Sequence, residues 1–348
     1  MAISYLSGGR IQGLSSDTKP TNVPLQSLFE ETDTGKFFTL LYATSFASAS
    51  WIEMGTGGVI TQNTALNSSL VTGGMVSGGN SVYDTTETFS GGTWSASHDL
   101  LRDRYAHAGG GNSTAALIAG GSKADGGWAN LSSTEKLVSG SWASDVAFAE
   151  ERYYCSGGGS RTNFLICHGN AGSDAPTYNR THSWEFNGTS WANSAAIGWE
   201  CYASNMGGNA TAAVCFGGQV TGYTATESAK YDGSSWTSSN ALNQARYIHG
   251  GDGTSTNAIA YHGYDGSAST NRTTETFDGT SWTSRGQSSL SAYSRYGAMA
   301  CGTGSAAVMG MGKANSVYLN STEIWDGSAF ATTGNAVSAR EYSAGGYA

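Results

Sequence analysis

Hydrolysis of a glycosidic bond needs two carboxylates roughly 5–10 Å apart, one giving a proton while the other attacks or activates water. Asp125, Asp174 and Asp265 lie in variable segments where such groups could meet, yet no spacing singles out a pair. A copper site needs converging His, Tyr and Cys ligands. His107 and His249 hold the same place in a repeated pattern, with Cys155 there in the unit between, but on separate units neutral packed histidines fit better than a ligand set. The five cysteines, Cys155, Cys167, Cys201, Cys215 and Cys301, are odd in number and lack CxxC or His-rich spacing. They are expected to be small buried strand residues, not zinc ligands. With no phosphate-binding loop, HExxH or Ser-His-Asp order either, the chain is expected to be no enzyme and to use no metal or cofactor.

The elements that would carry any site are repetitive. Thr274 to Trp282 reads as alternating side chains, an Asp-Gly turn and a Trp, and relatives of it end at Trp94, Trp142, Trp191, Trp236 and Phe330. The spacing of these aromatics, 45–49 residues, suits a four-stranded unit of a propeller. A first strand opens near Arg104-Tyr105, Arg152-Tyr153, Tyr202, Arg246-Tyr247 and Arg295-Tyr296 and runs into a Gly-rich turn such as Gly109 to Thr114 or Gly207 to Thr211. A short apolar second strand ends in Gly78-Gly79, Gly120-Gly121 or Gly217-Gly218. The Asp-Gly hairpin, expected to place both central residues at positive φ, supplies strands three and four.

Composition agrees with an all-β chain. Of 348 residues 50 are Gly and only 12% are charged, and Thr and aromatics suit a pleated sheet better than a helix. The net charge of -9 offers no basic stripe for nucleic acid. No run of 18 apolar residues spans a bilayer, and the first residues lack a secretory leader.

The Gly-Gly ending, a following aromatic and a Trp after a hairpin resemble the kelch motif across residues 71–348. Phe277 and Trp282 stand five apart, where kelch blades usually leave a longer turn. The resemblance implies a six-bladed kelch-like β-propeller closed by a C-terminal strand. Arg340 to Gly346 reads as a first strand with no unit behind it, and the unit from Val71 to Trp94 lacks one. Residues 60–348 are thus assigned to the propeller and 1–59 to a short N-terminal β or irregular arm.

Glu recurs in the third strand at Glu87, Glu135, Glu227, Glu275 and Glu323, with Trp184 in its place in the third unit; Glu200 is read in the place of Arg in the fourth. Pairing each Glu with the Arg of the next unit puts both exceptions in one pair. It predicts inter-blade pairs Glu87–Arg104, Glu135–Arg152, Glu227–Arg246, Glu275–Arg295 and Glu323–Arg340.

Tight turns fall on one face of the disc and variable loops on the other, where recognition is usually built. Each second-to-third connection carries an aromatic: Tyr83, Trp128, Tyr178, Tyr223, Tyr264 and Tyr318. These are candidate ligand-binding residues for sugars or a protein partner, whereas the blade-ending Trp residues are expected to pack between blades.

Pro24 to Lys36, with the strand-like Phe37 to Tyr42, resembles a short β segment of viral tail-fibre proteins, as do the shortened Gly/Ser/Thr-rich blades. The resemblance implies a virion surface or tail-fibre-like protein, outside the cell, in a homo-oligomeric or multi-copy assembly. The arm would join other virion or fibre proteins, and the propeller would bind a host-surface glycan or protein without catalysis. Nucleic acid and membrane insertion are not expected. A carbohydrate-active propeller enzyme and a cellular kelch interaction propeller are the alternatives.

Overall fold

The structure, a computed structural model, describes residues 74–80, 83–123, 129–171, 181–221, 223–266, 272–288, 290 and 295–346, and five strands before them. The chain divides into two compact units, Met1–Ala65 and Leu66–Ala348. In the first, strands Ser4–Tyr5, Arg10–Gly13, Leu28–Glu31, Lys36–Leu41 and Ser50–Thr56 form one sheet in chain order. Its second and third strands are parallel, a pairing that the propeller's sheets lack.

The second unit is a six-bladed β-propeller of four-stranded antiparallel sheets. Blade 2 has strands Ala108–Asn112, Ala115–Ala119, Thr134–Val138 and Ser141–Asp145. Blade 3 has Ser156–Ser160, Asn163–Cys167, Ser183–Phe186 and Trp191–Ser194, and blade 4 has Asn205–Asn209, Ala212–Phe216, Ser228–Tyr231 and Trp236–Ser238. Blade 5 has Gly250–Thr254, Asn257–Tyr261, Thr273–Phe277 and Trp282–Gln287, and blade 6 has Met299–Thr303, Ala306–Gly310, Thr322–Trp325 and Phe330–Thr332. Blade 1 joins Gly74–Ser77, Thr86–Ser90 and Thr93–Ala96 to the C-terminal strand Ala344–Gly346. The closure expected from the vacancy is met: Ala344 lies opposite Ser77, Gly345 opposite Val76 and Gly346 opposite Met75.

The glycines read as a turn after the first strand belong to the strand itself, at 109–111 and 207–208. Innermost strands crowd around the axis. A Cβ on Gly110 would stand 2.6 Å from the Gly159 carbonyl oxygen, and one on Gly158 2.8 Å from that of Gly208. The hairpin turns also differ from expectation. Only blades 1 and 2 use a two-residue turn with both residues at positive φ, Gly91-Gly92 and Ser139-Gly140. In blade 5 Phe277 pairs with Trp282 across four residues. There Asp278 Oδ1 accepts the N–H groups of Thr280 (2.8 Å) and Ser281 (2.7 Å), so only Gly279 needs positive φ. Asn187, Asp232 and Asp326 build the same turn in blades 3, 4 and 6.

The core lies between blades, for example Val214 and Phe216 of blade 4 against Ala258, Phe277 and Trp282 of blade 5. The blade-ending tryptophans seal these interfaces as expected, and they also donate hydrogen bonds across them. Trp142 Nε1 donates to Thr86 Oγ1 (3.1 Å), Trp94 to Thr322 (3.1 Å), Trp236 to Ser183 (3.0 Å) and Trp282 to Ser228 (3.4 Å). Each acceptor opens the third strand of the preceding blade. The pattern fails twice: Trp191 turns to the Val146 carbonyl (2.8 Å), and blade 6 has Phe330. The acceptors that these would reach, Thr134 and Thr274, are among the buried hydroxyls left without a partner. Removing a used acceptor orphans a buried donor, while removing an unused hydroxyl is nearly neutral. Thr86→Val is therefore expected to lower stability by about 1–2 kcal/mol and Thr274→Val by less than about 0.5 kcal/mol, read from denaturant midpoints. Equal losses would refute the indole ladder.

The ion pairs correct the sequence reading. Arg104 bonds Glu135 at 2.6 Å, Arg246 bonds Glu275 at 2.7 Å and Arg340 bonds Glu87, each within the blade that the Arg opens. The reason is backbone anchoring. The Arg246 N–H reaches Ala225 O and its carbonyl accepts the Gly218 N–H, which fixes the main chain on blade 4. The side chain must then cross forward, where His262 O (2.8 Å), Thr273 O (2.9 Å) and Glu275 of blade 5 converge. Each Arg thus bridges two blades, by main chain on one side and guanidinium on the other. Arg295 runs the same course to Met311 O (3.2 Å) and Ser321 O (3.1 Å), beside Glu323 of its own blade, which accepts the Tyr261 hydroxyl at 3.0 Å. In blade 3, where Trp184 replaces Glu, Arg152 takes Glu150 instead. In the fourth unit the residue at the Arg position is Cys201, whose carbonyl accepts the Gly169 N–H, and Glu200 is exposed; the Glu position is held by Ala229, opposite Cys215, while Glu227 lies before the third strand and accepts the Tyr223 hydroxyl at 2.7 Å.

Candidate recognition face

The residue after the Arg-Tyr pair sits at the axis in every blade. Ala106, Tyr154, Ala203, Ile248 and Tyr342 adopt φ of 51–56°, and Gly297 of 63°. Such a conformation costs an L-residue roughly 1–2 kcal/mol. What holds it is a closed ring of backbone hydrogen bonds. Tyr154 N–H donates to Ala106 O, Ala203 to Tyr154, Ile248 to Ala203, Gly297 to Ile248, Tyr342 to Gly297 and Ala106 to Tyr342, all at 2.8–3.1 Å. The C-terminal segment supplies Tyr342, so closing the sheet and closing this ring are one event.

Around the ring stand Tyr105, Tyr153, Tyr202, Tyr247 and Tyr296, each bridged to the second-to-third connection of its own blade, at Ser122, Asn170, Gln219, Tyr264 and Lys313. Glu341 holds the sixth place, opposite Asn80. Tyr105 is buried, and Tyr153, Tyr154, Tyr202, Tyr247, Tyr296 and Tyr342 are half-buried. Tyr154 and Tyr342 meet edge to face with centroids 5.2 Å apart, and Tyr153 and Tyr202 lie 4.9 and 6.0 Å from Tyr154. Burial pushes these phenols above the ordinary tyrosine range, helped for Tyr154 by Tyr342 and for Tyr202 by Tyr153. They are neutral hydrogen-bonding rings at physiological pH.

The loop aromatics extend this collar outward. Tyr264 packs edge to face on Tyr247 at 5.4 Å and Tyr83 stands 6.4 Å from Tyr105. Tyr83 donates to Asn80 (2.9 Å), which donates to Glu341 (3.0 Å). Lys313 lies 3.7 Å from Glu341 and 4.7 Å above the Tyr318 ring. Small two-stranded ribbons, Gln219–Val220 with Tyr223–Thr224 and Lys313–Ala314 with Val317–Tyr318, hold Tyr223 and Tyr318 in place. Tyr223 is the open one, 50% exposed. Trp128 and Tyr178 lie outside the described residues. The inner tyrosines were visible in sequence only as a mark of strand register, and the repetition of Tyr after Arg was the signal that could have assigned them to the site.

Behind the ring the channel narrows to cavities of about 70 Å³, room for roughly two waters, so a ligand on this face binds at the rim. His107, Cys155 and His249 reach its wall. Burial holds both imidazoles well below the ordinary range; His107 Nε2 shares a hydrogen bond with Ser77 Oγ at 3.1 Å, and His249 packs on Phe216 at 5.5 Å. Among the described residues this geometry is blade packing. The opposite mouth opens into about 280 Å³ lined largely by glycine backbone with Asp252. Desolvation pushes that carboxyl up to about 7, against the pull of the Gly302 and Gly253 N–H donors. Asp252 is the one carboxylate lining these cavities. Asp265 lies on the other face, and Asp125 and Asp174 fall outside the described residues.

No protein-family model and no curated protein matches the chain. Among solved structures, one titled "Structure of YjhT" superposes on 69% of this chain and 86% of its own, with a TM-score of 0.55 at 10% identity. At that identity the likeness concerns the propeller fold alone.

Proposed function

We propose that the propeller is a non-catalytic recognition module whose tyrosine collar binds a glycan on a host surface. The observation that carries this reading is the concentric arrangement of half-buried, neutral tyrosines around a sealed axis, backed by a rigid ring of main-chain hydrogen bonds. Aromatic rings fixed by a scaffold stack on the apolar faces of sugars while their hydroxyls take polar contacts, with little ordering cost on binding. The virion surface or tail-fibre setting rests on the resemblance of the N-terminal segment and of the short blades. The absence of a second carboxylate beside Asp252 in the cavities described favours binding over glycoside hydrolysis.

The test is a glycan array probed with the purified chain, followed by Tyr202→Ala/Tyr247→Ala. Tyr202 donates to Gln219 at 2.6 Å at the rim, so the double variant alters the collar and leaves the core intact. Binding is expected to fall at least about 10-fold, with an unchanged unfolding midpoint. Undiminished retention by the variant would remove the collar from the site. Attachment to host cells that survives periodate oxidation of their glycans would assign the face to a protein receptor.

A further inference from the structure

Unit four departs from its neighbours at one buried spot. Where five other units place an Arg, Cys201 stands, fully buried. Its Sγ approaches Gly217 O at 3.7 Å, the carbonyl matching the one that Arg104 takes at Gly120. Near it lie Cys215 of the same blade and Cys167 of blade 3, both fully buried, with their own sulfurs 3.6 Å apart. His168, also fully buried, joins them: its Nδ1 lies 3.1 Å from Cys201 Sγ and 3.5 Å from Cys215 Sγ. The ligand atoms of Cys167, His168 and Cys215 all lie within 4.8 Å of one another.

We propose that Cys167, His168, Cys201 and Cys215 form a four-coordinate site for a zinc-class divalent ion joining blades 3 and 4.

Three features favour a metal over packed thiols. The first is orientation. Adjacent strand residues point to opposite faces, but the residue after the second strand has positive φ in every blade, and at His168 that shared turn brings the imidazole Nδ1 within 3.1 Å of Cys201 Sγ. Its Nε2 lies 3.2 Å from Trp199 O, which as an N–H donor contact leaves the Nδ1 lone pair facing the sulfurs. A ligand histidine is commonly fixed through its second nitrogen in this way. The second is donor count. In the ring that donates from Nε2, that single lone pair is approached by the thiols of both Cys201 and Cys215, with Ser204 Oγ at 2.9 Å, and one lone pair accepts only one of the two thiols well. The third is dimension. With zinc–sulfur bonds of about 2.3 Å and zinc–nitrogen bonds of about 2.0 Å, a tetrahedron has sulfur–sulfur edges of about 3.8 Å and sulfur–nitrogen edges of about 3.5 Å. The measured 3.6 and 3.5 Å match, and Cys201, 3.1 Å from the same Nδ1 but outside the 4.8 Å group, must swing its Sγ toward the other two sulfurs to complete the tetrahedron.

Binding would release three thiol protons to solvent, giving three thiolates and a neutral imidazole around the dication. The net charge of minus one would lie beside the Arg152 guanidinium, which donates to the His168 carbonyl at 2.8 Å and is shared with Glu150. Cys155 and Cys301, buried elsewhere, take no part.

The experiment uses the full chain, purified under reducing conditions. Elemental analysis after equilibration with zinc and gel filtration is expected to give about one zinc per chain. Cobalt titration is expected to give the intense visible ligand-field bands of tetrahedral thiolate coordination, bleached by zinc. Cys215→Ser is expected to weaken binding at least about 10-fold, while Cys301→Ser, a comparable loss of a buried thiol, keeps full stoichiometry. A zinc content below about 0.1 per chain after loading would overturn the proposal. So would a cobalt spectrum without tetrahedral bands, or a Cys167–Cys215 disulfide in protein handled anaerobically. The wild-type measurements stand even if Cys215→Ser fails to fold.

Discussion

Arg246→Met is expected to lower the unfolding free energy by about 3–5 kcal/mol, seen as a large fall in the denaturant midpoint with an unchanged slope. The guanidinium is wholly buried and satisfies His262 O, Thr273 O, Thr273 Oγ1 and Glu275 at 2.7–3.0 Å. Methionine keeps much of the stem's volume, so the loss is electrostatic more than steric. It strands the His262 carbonyl and a buried carboxylate, which retains only Asn243 and Gln244 as donors, while the Thr273 carbonyl keeps the His262 N–H. Removing one partner of a buried pair costs more than removing both, so Arg246→Met/Glu275→Leu is expected to recover at least about 1 kcal/mol of the loss. Arg152→Met should be milder, because its partner Glu150 is 23% exposed and already shared with His182 at 2.9 Å. An Arg246→Met protein within about 1 kcal/mol of wild type would mean that these arginines merely fill space. Unit four shows that the scaffold tolerates joint loss: Cys201 replaces the cation and Ala229 the carboxylate. Such a pair sets which blade sits beside which more than it adds net stability.

That unit also shows where sequence stops being enough. The 45–49-residue spacing, the alternation in each hairpin and the unpaired segment after Arg340 report repeating local geometry, so blade count, strand order and the closing partner could be read directly. Ion-pair direction could not. It depends on which neighbour anchors the Arg main chain, and both pairing schemes repeat along the chain with comparable regularity. The register slip between Glu200 and Cys201 worsened this, although Tyr202 marks the correct alignment. Because Cys201 was not seen to occupy the Arg position, the meeting of Cys167, His168 and Cys215 stayed hidden; spacings of 34 and 14 residues between cysteines carry no local ligand signature. The collar was half legible. Tyr after Arg is plain in the sequence, but its position at the mouth follows from the left-handed turn of the next residue, which a run such as Tyr105-Ala106 or Tyr247-Ile248 does not announce.

Deleting residues 341–348 is expected to abolish the propeller's cooperative unfolding transition and to leave a chain that binds hydrophobic dyes and associates through exposed sheet edges. The cut keeps Arg340 and hence its contact with Glu87, so any failure does not come from loss of that ion pair. Two structures go at once. Gly74–Ser77 loses its partner Ala344–Gly346 and becomes an open edge. The axial ring loses Tyr342, which orphans the Ala106 N–H and the Gly297 carbonyl and opens the ring that holds Ala106, Tyr154, Ala203 and Ile248 at positive φ. Because every blade packs on two others, a gap weakens both interfaces beside it, and the loss is expected to rival a typical domain stability of about 5–15 kcal/mol. A synthetic peptide spanning residues 341–348, added in excess, should restore the transition by occupying the vacant strand, whereas one with Gly345→Pro, which removes an N–H from the closing strand and constrains its backbone, should not. A truncated chain that unfolds cooperatively at the wild-type midpoint would show that the ring holds without its closing strand. The collar could not then owe its rigidity to closure, and the tyrosines would have to be ordered blade by blade.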